Sequence, residues 1–175
     1  MTDSSIDEPR YRVTDIVNAC GLSGNTLRSW LGQGHIRLER QDELPGKEGW
    51  RKLTFRRALQ IALTAALVEY RIPAQRAARL AFGFTDVADP SLEDGRAPGE
   101  LMRAGRTFML IRQDADFPWI VSDTTNIFSR VTGAGFGAPT SLLVVDVTKI
   151  WHALAAALDQ ETAKTMNLKT ELVLK

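Results

Sequence analysis

The sequence predicts an α+β fold, and three features of its patterning support this. Over residues 11–31 two short amphipathic segments meet at a tight glycine turn. Over residues 55–70 apolar side chains recur with unbroken helical spacing. Beyond residue 106 the pattern changes to short apolar runs of strand character, closed by one more helical stripe. At 175 residues, 44% of them hydrophobic and 25% charged, the chain has the composition of a folded domain of ordinary size or of two small ones. It contains no apolar run of about 18 residues, so no membrane span is expected.

Taken in order, Met1–Pro9 is polar and acidic, which argues against a secretory signal and predicts a disordered lead-in. Val13, Ile16, Val17 and Cys20 then fall at i, i+3, i+4 and i+7 and share one helix face. Thr14 is the expected cap and Gly21 the expected stop. Ser23 is expected to cap a second helix whose apolar stripe is Leu27, Trp30 and Leu31. Gly24, Asn25, Arg28 and Ser29 are left on its polar side, with Thr26 in its first turn. A small residue followed by an amide and a guanidinium suits a helix whose front turn enters a DNA groove. Arginine can grip guanine through two hydrogen bonds, and asparagine can do the same for adenine.

Gly32-Gln33-Gly34 punctuates the exit from that helix. Ile36-Arg37-Leu38 and Trp50-Arg51-Lys52-Leu53 are predicted to pair as a two-stranded wing over residues 36–53, tipped by Lys47, Arg51 and Lys52. Such a wing would lie along phosphates and fix register without reading sequence. Thr54 is the next expected cap, opening a core helix through Phe55, Ala58, Leu59, Ala62, Leu63, Ala66 and Leu67 to about Tyr70. Pro73 suits the first turn of a further helix to about Phe82, with Arg76 and Arg79 on its wet side.

The order helix, turn, helix, wing, long helix, shorter helix resembles the MerR-type winged helix-turn-helix of bacterial transcription regulators. The residues carrying the resemblance are Tyr11, Ile16, Cys20-Gly21-Leu22-Ser23, Thr26-Leu27-Arg28-Ser29-Trp30, Gly34-His35-Ile36 and Gly49-Trp50-Arg51-Lys52-Leu53, and it covers roughly residues 10–84. It implies that Arg28 and Arg51 are the main DNA contacts and that Arg76 and Arg79 sit near a second wing. Ser29 stands where the family usually has an aromatic residue. Where the family usually continues into a coiled-coil helix, residues 85–105 have a linker's composition, with Asp89-Pro90, Gly95, Pro98-Gly99 and Gly105.

Residues 106–163 are read as a small α+β unit serving dimerisation or the sensing of a small-molecule or protein effector. Its expected strands are Thr107–Arg112, Trp119–Val121 and Ser141–Val147, the last buried on both faces. A short helix is expected over Asn126–Val131, and Gly133–Gly137 reads as a loop. Thr148 is expected to cap a helix through Ile150, Trp151, Leu154 and Leu158 to about Thr162. Residues 164–175 are expected to be a loose tail, with Leu168–Leu174 an optional edge strand.

Charge is unevenly spread. Arg10–Leu80 carries 13 Lys/Arg against 6 Asp/Glu, and Ala81–Lys175 carries 9 against 12. A basic front and a mildly acidic rear suit a chain that meets phosphates only with its front. The single cysteine, Cys20, can make no internal disulfide and fits the cytoplasm. It sits on an apolar face, and His35 and His152 lack a ligand pattern, so no cofactor or metal is expected. No nucleophile elbow, Walker motif or zinc-protease motif is present, so no enzyme is expected.

The sequence therefore predicts a sequence-specific regulator of double-stranded DNA. One recognition helix reads too few base pairs, so a homodimer is expected. Two alternatives stand beside it. One is an excisionase-like architectural protein. The other is a protein-interaction module that uses the winged scaffold without DNA, a reading kept open by the acidic loop residues Glu39, Asp42, Glu43 and Glu48.

Overall fold

The computed structural model describes residues 4–38, 43–45, 51–88, 96–113, 115–122 and 141–173. It is an α+β fold with five α-helices and two small antiparallel sheets among the described residues.

Residues 4–7 do not fray. They form a 3-10 turn that places Ile6 in the core, 6% exposed. A two-residue strand, β1 (Tyr11–Arg12), runs directly into α1 (Val13–Ala19). Arg12 therefore occupies the N-cap, and Thr14 lies inside the first turn with its hydroxyl directed at Asp15. Ile16 and Val17 are buried, whereas Val13 and Cys20 are half-buried at the edge of the same stripe. Next comes α2 (Gly24–Gly32), capped by Ser23 as expected.

The first sheet differs from the expected hairpin. Ile36–Leu38 forms no strand, and Ile36 is instead a core residue, 1% exposed. The partner of β3 (Arg51–Leu53) is β2 (Glu43–Pro45), and β1 pairs with the other edge of β3, giving the order β1-β3-β2. The register aligns Tyr11 and Glu43 with Leu53, and Arg12 and Leu44 with Lys52.

Helix α3 (Phe55–Glu69) is the centre of the molecule. Thr54 Oγ1 accepts from Arg57 N at 3.1 Å, and Ala58, Leu59, Ile61, Leu63 and Leu67 are fully buried. A helix buried on nearly every side must satisfy its polar residues internally. Arg57 accordingly pairs with Asp86 at 2.9 Å and donates to Gln60 Oε1, while Thr64 donates to the Gln60 carbonyl. Helix α4 (Ala74–Thr85) packs along α3, with Pro73 at its N-cap, and runs past Phe82 because Phe84 is itself a core residue.

The segment after α4 was expected to be linker, but residues 96–102 are docked on the end of that helix. The last carbonyls of a helix need outside donors. Here Gly99 N and Arg96 Nη1 both reach Phe84 O at 3.1 Å. Arg56 Nη1 reaches Thr85 O at 2.9 Å and Pro98 O at 2.7 Å. The rest of the Arg56 guanidinium grips Asp7 in the opening turn through Nε and Nη2.

The second sheet has β4 (Thr107–Arg112) at its centre, flanked by β5 (Trp119–Ser122) and β6 (Leu142–Asp146). Among the described residues β6 pairs with β4 alone, and its apolar run is not buried on both faces. Val144 is 46% exposed, while Val145 faces the core. Asp146, rather than Thr148, caps the last helix, α5, by accepting from Lys149 N at 3.0 Å. The Thr148 hydroxyl instead accepts from Thr107 N, tying the helix to β4. Helix α5 (Val147–Val173) continues through the residues expected to form a tail or an edge strand. The short helix and glycine loop expected at 126–137 lie outside the described residues.

Front and rear elements share one hydrophobic core. Trp151 meets Phe55 edge-on at 5.0 Å between ring centroids, and Leu154 and Leu158 are buried in the same cluster as Ile16 and Leu59.

Candidate nucleic-acid interface

The polar face of α2 is held at both ends. In front, Ser23 Oγ accepts from Thr26 N at 3.0 Å and lies 2.8 Å from Thr26 Oγ1, so the Thr26 hydroxyl belongs to the cap. The turn before it needs a left-handed residue, and Gly21 has φ +62° with nothing within 4 Å of a Cβ built there. Gly21 is therefore required for its backbone rather than for space. Behind, Gly34 has φ +69° and donates to Leu31 O, while His35 N donates to Trp30 O, the two hydrogen bonds of a Schellman closure.

Between these ends Leu27 and Trp30 are buried, and Gly24, Asn25, Arg28 and Ser29 are exposed. Arg28 Nη1 donates to Asn25 Oδ1 at 2.7 Å, so two of the expected base-reading groups already sit side by side.

The first sheet adds cations nearby in the fold, since both it and α2 pack on α1. The register sets Arg12 directly beside Lys52 on the face opposite the buried Tyr11 and Leu53. Two basic residues therefore stand at paired positions on one face of the sheet. The sequence reading missed Arg12, because a two-residue strand leaves no alternation to detect. Arg51 lies on the same strand, paired in register with Pro45. Lys47 lies outside the described residues.

Arg76 and Arg79 are directed elsewhere. Arg76 Nη2 donates to Arg112 O at 2.8 Å, Gln113 O at 2.6 Å and Ala115 O at 3.3 Å, which fastens α4 to the turn after β4. Arg79 pairs with Asp116 at 3.1 Å on the surface. The α3–α4 turn instead presents Arg71, also missed from the sequence. Its φ is +64°, and the hydrogen bonds Arg71 N to Val68 O and Ile72 N to Leu67 O repeat the Schellman closure, with arginine where glycine is favoured. Arg71→Gly is therefore expected to raise stability by about 0.5–1 kcal/mol in urea unfolding. A loss of stability would show that the arginine side chain supports the turn.

Burial pushes the Cys20 thiol up to about 12, from an ordinary 9.0. The unfolded chain gives up this proton first, so its contribution to stability is complete below pH 9.0 and is lost as pH rises toward about 12. At pH 8 the native thiol should react with iodoacetamide at least about tenfold more slowly than in the unfolded chain. Equal rates would show that the thiol is accessible and ordinary. Among the described residues, no three His, Cys, Asp or Glu side chains gather as metal ligands would.

Comparison with protein-family models, curated proteins and solved structures gives no match to this chain.

Proposed function

We propose that the chain is a DNA-binding transcriptional regulator of winged helix-turn-helix type, with α2 as its major-groove reader and β2–β3 as its wing. The observation that carries this reading is the exposed Asn25–Arg28 pair on a helix whose other face, Leu27 and Trp30, is buried. A major groove is wide enough to admit a helix, and both side chains suit bidentate contact with purine edges. The register of Arg12 beside Lys52 supports the same reading, because it sets two basic residues at one position of the sheet, as a backbone-contacting wing needs. A reader of this length covers one half-site, so the reading includes a homodimer with half-sites about 34–36 Å apart.

Selection of bound genomic fragments, with footprint length and symmetry recorded, tests this directly, the expected product being an inverted repeat. Lys52→Ala should weaken binding to specific and random duplexes alike and reduce the magnitude of the salt slope by about 1. A footprint with strong bending and no base preference would favour an architectural role. Binding to no duplex at low salt would transfer the reading to a protein-interaction scaffold.

A further inference from the structure

A cleft of about 300 Å³ opens between the segment that ends α2 and the outer sides of α3 and α4. That volume lies at the lower end of the range for small-molecule sites. It is lined by Arg37, Arg79, His35, Gln60 and Gln75, with Phe82 as an aromatic residue of the wall. Among the described residues no carboxylate lines it.

Three of these groups point to a ligand. Gln60 is 1% exposed, and its Oε1 is held by Arg57, which is itself anchored on Asp86. This fixes the amide so that Nε2 is left for the cleft, where it donates to no described atom. An amide donor at the wall of a cleft is available to an oxygen atom placed there. Arg37 is exposed and makes no ion pair among the described residues. Phe82 is 42% exposed and offers an apolar surface to the same cleft. Arg79 already pairs with Asp116, but both partners are well exposed and a ligand oxygen can replace the carboxylate at little cost.

We infer that the cleft binds a small organic anion, with a carboxylate or phosphate-monoester head meeting Arg37 and Gln60 Nε2 and an apolar body covering Phe82. Such a ligand would sit against Gly34 and His35, whose backbone groups close α2. Occupancy goes beyond the DNA-reading proposal and is testable without nucleic acid.

The full-length, isotopically labelled chain is titrated with phenyl phosphate, phenylacetate, inorganic phosphate and benzyl alcohol, followed by amide chemical shifts. At least one aryl anion is expected to move the Gly34 and His35 amides and the Gln60 side-chain NH2 saturably. Its Kd should be at least about tenfold below those of inorganic phosphate and benzyl alcohol. The tighter of the two aryl anions identifies the head group.

Arg37→Ala, at an exposed position, should raise that Kd at least about tenfold. Gln60→Glu keeps the oxygen that Arg57 holds but removes the donor, and should abolish the shifts. Absence of saturable shifts at these groups, equal binding of benzyl alcohol or of inorganic phosphate, or an unchanged Kd in Arg37→Ala would each overturn the inference.

Discussion

Arg28→Ala is expected to weaken binding to the selected site by about 1–3 kcal/mol, roughly 5- to 150-fold, while affinity for random duplex changes far less. The asymmetry follows from where the side chain stands. It projects from an exposed helix face beside Asn25, with its Nη1 on the Asn25 carbonyl oxygen at 2.7 Å. A guanidinium steered by a neighbouring amide enters a groove partly oriented, which lessens the entropy lost on binding. The comparison needs competition binding at fixed salt with both duplexes. If the two affinities fall together, Arg28 is a phosphate contact and α2 does not read bases. If neither falls, α2 is not the reader.

Phe84→Ala should cost about 3–5 kcal/mol of stability in urea unfolding. The ring is fully buried between α3 and the returning chain, and the Arg96 guanidinium stacks over it at 4.4 Å. Truncation opens a cavity and removes the aromatic surface on which a nearly buried cation rests. Since Phe84 O accepts from Gly99 N and Arg96, the loss should also loosen residues 96–99 before global unfolding, as faster amide exchange at Gly99. A cost below about 1 kcal/mol would mean that this corner repacks freely.

The helices with a local signal at each end were legible in the sequence. Ser23 and Thr54 both cap, and the stripe from Phe55 to Leu67 is the core. Strands β4 and β5 were legible too, as short apolar runs between turn residues. Pairing was not, because it is decided between residues far apart. Nothing local to Glu43–Pro45 distinguishes it from Ile36–Leu38 as the partner of β3, and Ile36 was drawn into the core instead. The run Leu142–Asp146 was equally apolar in sequence whether central or at an edge.

For α5 a signal existed and was outweighed. Ala163–Val173 contains no glycine or proline and several good helix formers, yet it lacks the apolar stripe that made the first half of that helix evident. At the candidate site, the α2 face followed from spacing alone. Arg12, Arg71 and the place of Gln60 beside the cleft depend on register, backbone twist and a buried partner that sequence spacing does not record.

Trp151, Leu154 and Leu158 complete the same interior as α1 and α3, although they come from the far end of the chain. A front half transplanted onto another protein would arrive with a hole where those side chains belong. This architecture therefore resists the shuffling of interchangeable modules by which many regulators diversify. On the DNA-reading proposal, new target preferences would have to evolve by point changes on the outward residues of one short helix.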